Sequence, residues 1–73
     1  EELIVPVGSG LVGRSVREAH VRDRTGALVL ALRHADGSFT TNPDPETVLA
    51  TGQVLIAVGT AEQLGALEAL LAT

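Results

Sequence analysis

The chain contains no cysteine, lysine, methionine, tryptophan or tyrosine, and Phe39 is its one aromatic residue. Without cysteine it can form neither a disulfide nor a thiolate zinc site. A single aromatic disfavours stacking-based nucleic-acid recognition, which relies on aromatics or Arg planes. The positive charge rests on five arginines against nine acidic residues, a formal net charge of -4. That balance opposes general polyanion binding, and nucleic acid is not expected as a partner. No apolar run approaches the roughly 18 residues of a spanning helix, and no signal-peptide pattern is visible. Two histidines, no cysteine and no paired-carboxylate motif leave little for catalysis, so an enzyme is not expected.

What is present fits a single domain over residues 1–73. A chain of this size buries a modest share of its surface, and oligomerisation is the remaining source of further burial. The chain does not begin with Met, which points to a piece of a longer protein. Four of the five arginines, Arg14, Arg17, Arg22 and Arg24, fall in one short segment. A guanidinium is a planar fork that suits carboxylate or phosphate, so the segment is a candidate anion site. The competing reading is a solvated helix face, with Glu18 and Asp23 as surface partners of Arg17 and Arg24.

The apolar residues, 45% of the chain, are mostly Ala, Val, Leu and Ile. Leu3-Ile4-Val5 reads as a strand ended by Pro6. Gly8-Ser9-Gly10 is a turn, and Ser15 with Glu18 has capping-box spacing, which starts a helix near Val16. Val16, Ala19 and His20 share its face, and Thr25-Gly26 closes the segment. Residues 27–32 are unbroken and apolar, as in a strand covered on both faces. Asp36-Gly37 turns the chain into a short return strand over 38–41, and the Asn42-Pro43-Asp44-Pro45 run ends it. Residues 53–58 form a second buried strand. Thr60 with Gln63 repeats the capping-box spacing ahead of a stripe of Leu64, Leu67, Leu70 and Leu71. The predicted class is α+β: an antiparallel-type sheet of about four strands with two helices, in the order strand-helix-strand-strand-strand-helix.

Gly8-x-Gly10-x-x-Gly13 matches the dinucleotide fingerprint literally, with Asp36 near the spacing of a ribose-binding acid. Pro6 and a helix start that follows the last glycine oppose that reading, since the true motif opens its helix onto the pyrophosphate. A glycine-rich turn is the alternative. His20, His34 and Asp36 are possible metal ligands, but no spacing supplies a third ligand from one element, and solvated histidines fit as well. No metal is expected.

The ordered series of Gly8-Ser9-x-Leu11-Val12-Gly13-Arg14-Ser15-Val16-Arg17-Glu18, Val21-Arg22-x-Arg24-Thr25-Gly26-Ala27, Val29-Leu30-Ala31-Leu32-Arg33, Asn42-Pro43-Asp44-Pro45-Glu46-Thr47-Val48-Leu49, Gly52-Gln53-x-Leu55 and Val58-Gly59-Thr60 covers nearly the whole chain. In that order it resembles the C-terminal domain of the regulators of potassium conductance (RCK), also called the TrkA-C domain. The resemblance implies a cytoplasmic regulatory domain of a potassium channel, potassium-uptake system or cation/proton antiporter, at the inner face of the membrane. Its partners would be a second copy of itself, as a homodimer, and a membrane-embedded transport subunit in cis or trans. No cofactor is required.

Several members of the family bind cyclic di-AMP in the dimer cleft. Carried over, the ligand segment corresponds to Val16, His20, Val21, Arg22 and Asp23, with Leu28, Val29 and Pro43 across the cleft. Arg22 would take the phosphate, and Val16, Val21 and Pro43 would flank the adenine. Members that bind this ligand tend to carry a polar residue, often Asn, where Leu28 stands, and an acid where His20 stands. Gln53 occupies a position that is usually Asp, at a turn cap. Two other readings stay open: a dimerisation scaffold that binds no small molecule, and a dinucleotide-binding enzyme fragment.

Overall fold

The computed structural model describes residues 1–73. Its strands are β1 (Glu2–Ile4), β2 (Leu28–Arg33), β3 (Phe39–Thr41) and β4 (Val54–Val58), and its helices are α1 (Val16–Ala19), α2 (Val21–Thr25) and α3 (Ala61–Leu71). The strands form one antiparallel sheet in the order β1-β4-β2-β3. The α+β class and the four-stranded sheet are as predicted.

Local chemistry sets the helix boundaries. Ser15 accepts from the Glu18 N–H at 3.1 Å while Glu18 accepts from the Ser15 N–H at 2.9 Å, which completes the predicted box ahead of α1. The Thr60–Gln63 box opens α3 in the same way. Gly26 closes α2 in the left-handed region, at φ 80°.

The core lies on one face of the sheet. Leu67, Leu70 and Leu71 of α3 pack with Leu3, Leu32, Leu55 and Ala57 of the strands, Ala19 and Val21 of the short helices, and the loop residues Leu11 and Leu49. Two expectations are corrected here. The segment from Val16 to Thr25 is not one helix: His20, at φ 50° and ψ 41°, is left-handed and splits it into α1 and α2. Nor are the apolar strands covered on both faces. Leu28, Leu30 and Val58 remain 42%, 45% and 46% exposed, because helices cover only one side of the sheet. A bulge between Val29 and Ala31 leaves Leu30 without a partner on β4.

Candidate functional site

The glycine motif is a turn in which every amide from Ser9 to Arg14 is already committed. The N–H groups of Ser9, Gly10, Leu11, Val12, Gly13 and Arg14 donate to Pro6 O, Thr73 O, Ser9 Oγ, Ser9 O, Leu49 O and Leu11 O respectively. Only the Gly8 N–H has no acceptor, too little to cradle a pyrophosphate, and β1 is an antiparallel edge strand rather than the central parallel strand the fingerprint needs. The dinucleotide reading fails on both counts.

His34 is half-buried and engaged at both ring nitrogens. Gln53 is buried, at 6% exposure, and its Oε1 accepts from the Ala50 N–H at 2.9 Å, which turns its Nε2 to donate to His34 Nδ1 at 3.1 Å. The ring proton therefore sits on Nε2, which lies 2.6 Å from Thr40 Oγ1. Both nitrogens are engaged in joining the β2–β3 hairpin to the turn before β4. Nowhere do three His, Asp or Glu side chains converge as a metal site would require. Asp36 is occupied locally as well. Bonds from the Ser38 hydroxyl and N–H hold its carboxyl below the usual aspartate range.

The structure brings all eight residues carried over by resemblance to one open groove of about 580 Å³. Val16 and His20 come from α1 and the break after it, Val21, Arg22 and Asp23 from α2, Leu28 and Val29 from the start of β2, and Pro43 from the loop after β3. Arg17, Ala27 and Asn42 complete the lining and were not anticipated. The signal for Asn42 was its place before Pro43, where the chain has to turn away from β2. The chain has two non-glycine residues with positive φ, His20 and Asn42 at 46°, and both line this groove. Such backbone costs free energy and tends to collect at binding sites.

The arginines sort themselves by partner. Arg17 pairs with Glu46 at 2.9 Å rather than with Glu18 or Asp23. Arg14 Nε donates to Gly10 O at 3.2 Å, and Arg24 lies beside Arg14 in a separate hollow behind α1. Asp23 faces His20, with Oδ2 at 3.6 Å from Nδ1, and so is not the partner of Arg24. Arg22 lines the groove with no ion pair to the protein. An exposed guanidinium beside apolar Val16, Val21, Leu28 and Pro43 can hold an anionic group while its apolar neighbours take a flat ring.

One side of the groove is unfinished. β3 pairs only with residues 31–33 of β2, so Leu28 and Val29 are bonded to β4 alone and present a bare strand edge to the groove.

Comparison with known proteins bears on the family and the fold. The TrkA-C domain family matches residues 1–72. A probable potassium channel protein of Methanocaldococcus jannaschii is 38% identical over 69 residues, 94% of this chain. The chain spans only 20% of that relative's length. Among solved structures, the RCK_C domain dimer of S. agalactiae BusR in complex with cyclic di-AMP superposes with a TM-score of 0.92 at 29% identity, covering 99% of this chain and 93% of that one. A longer BusR chain, of which this chain covers 35%, has been solved with its promoter DNA. The RCK C domain of the potassium transport protein KtrA, also in complex with cyclic di-AMP, gives a TM-score of 0.84 at 25% identity, with 94% and 78% covered.

Proposed function

The chain belongs to the TrkA-C domain family, and from that premise we propose that it is a cytoplasmic regulatory domain of a potassium channel, potassium-uptake system or cation/proton antiporter. In this reading it binds cyclic di-AMP between two copies of itself. The observation that carries the reading is the convergence of Arg22, which has no ion pair, with apolar Val16, Val21 and Pro43 in a groove bounded on one side by a bare strand edge. A ligand with two phosphates and two adenines presents the same face to each subunit of a two-fold dimer. Arg22 takes one phosphate, and the apolar walls flank one adenine. The second copy supplies the same set across the dyad.

Regulation follows from differential affinity. A ligand that touches both subunits favours the dimer geometry in which both grooves fit it, and it shifts the transport subunit only by that difference. The domain carries out no catalysis in this scheme. It makes no contact with nucleic acid either: a net charge of -4 opposes phosphate-backbone binding, although BusR as a longer protein has been solved with DNA.

One observation favours the scaffold reading instead. Leu28 places an apolar side chain on the groove wall, where ligand-binding members of the family tend to carry a polar one. Calorimetric titration with cyclic di-AMP separates the two. Binding heat that is lost in Arg22→Ala, with circular dichroism unchanged, supports ligand sensing. A flat titration of the unaltered chain at high micromolar ligand, together with a dimer in sedimentation, supports the scaffold.

A further inference from the structure

The groove's charges nearly cancel. Arg17 is paired with Glu46 at 2.9 Å, and Asp23 offsets Arg22. The β2 wall, Leu28 and Val29, and the loop wall, Asn42 and Pro43, bring no ionisable group. Arg24 faces the separate hollow that it shares with Arg14 and Glu18. His20 is the remaining titratable side chain in the groove.

We propose that His20 makes anion binding in this groove proton-linked, the imidazolium supplying the net positive charge that the groove otherwise lacks. The inference rests on the ligand-sensing reading above. The His20 ring is free to take this role. Its Nδ1 lies 3.6 Å from Asp23 Oδ2, too far for a hydrogen bond, and its side chain is 59% exposed. Its left-handed backbone, at the junction of α1 and α2, sets the imidazole on the same groove as Arg22. Histidine changes charge between about pH 5 and 8, whereas the arginines stay charged throughout. A phosphodiester keeps its charge over the same range, so any pH dependence belongs to the protein. Protonation adds one positive charge to a groove whose other charges nearly cancel, and that charge attracts a phosphate. At an exposed site a charge pair is worth up to about fivefold in affinity.

The test is calorimetric titration of the 73-residue chain with cyclic di-AMP at about pH 6 and about pH 8, in two buffers of different ionisation enthalpy. The expected result is binding up to about fivefold tighter at the lower pH. Between the two buffers, heats should differ by the amount that marks proton uptake. In His20→Asn, which keeps a residue tolerant of the left-handed backbone, the pH dependence should vanish. Binding that does not change with pH, or a dependence that survives in His20→Asn, overturns this inference and leaves the ligand reading standing. No binding at either pH overturns both.

Discussion

Replacing Gly26 by alanine tests how α2 and α3 are joined. Gly26 sits at φ 80°, where an L side chain costs about 1–2 kcal/mol. A Cβ placed there would lie 2.7 Å from Gln63 Nε2 and 3.1 Å from its Cγ and Cδ. Gln63 cannot yield freely. Its Oε1 accepts from the Thr60 N–H at 2.9 Å, and it lies so near Gly59 that a Cβ there would come within 2.9 Å of Oε1. Moving it breaks the box that opens α3, a loss of about 1 kcal/mol. Alanine recovers roughly 0.4–1 kcal/mol by stiffening the unfolded chain, so the net cost of Gly26→Ala is about 2 kcal/mol. Gly37 is the control. It has φ 90°, and a Cβ there would meet no heavy atom within 4 Å, so Gly37→Ala incurs only the backbone cost, about 1 kcal/mol. Urea unfolding followed by far-ultraviolet circular dichroism is the assay, because the chain lacks tryptophan and tyrosine for fluorescence. In a Gln63→Ala background the cost of Gly26→Ala should fall to that of Gly37→Ala. Equal costs for the two single variants, or strict additivity with Gln63→Ala, would refute the coupling.

Two further outcomes concern side-chain hydrogen bonds. Gln53→Leu leaves the Ala50 N–H and His34 Nδ1 without partners, and it should cost about 1–3 kcal/mol in the same unfolding assay, whereas a cost under about 0.5 kcal/mol would mean that water replaces both bonds. Bonds from the Ser15 N–H and hydroxyl hold the Glu18 carboxyl below its ordinary value of 4.5, so its stabilising contribution is present above that value and is lost as pH falls through the lowered one; Glu18→Gln, which can keep the cap without titrating, should show a shallower acid limb in thermal midpoints, and an unchanged limb would contradict this.

The features legible in the sequence were those that depend on close neighbours. Ser15 with Glu18 and Thr60 with Gln63 signal caps three residues apart, and both caps form. Asp36-Gly37 likewise marks its turn, with Gly37 at φ 90°. The break at His20 was hidden because Val16, Ala19 and His20 also continue a helical face. The exposed faces of β2 and β4 were hidden because an apolar run looks the same whether its second side meets a helix or is left open. Arg17 meets Glu46, and His34 meets Gln53, only after the chain has folded, so local charge spacing paired them wrongly or left them free. The groove residues were reached through the resemblance to a family. Composition alone went no further than a cluster of arginines.

The two left-handed residues, His20 and Asn42, also bear on how the sequence can drift. Glycine would hold either position without the backbone penalty of about 1–2 kcal/mol, at a loss of roughly 0.4–1 kcal/mol from a more flexible unfolded chain, a net gain of up to about 1 kcal/mol against the roughly 5–15 kcal/mol that keeps a domain folded. Stabilising replacements are therefore open at both sites. Each would erase a polar side chain from the groove wall. Selection for stability alone would favour glycine at positions 20 and 42, while selection for the groove would retain residues that can bear the conformation and still present a nitrogen. Imidazole and carboxamide are among the few side chains that meet both demands.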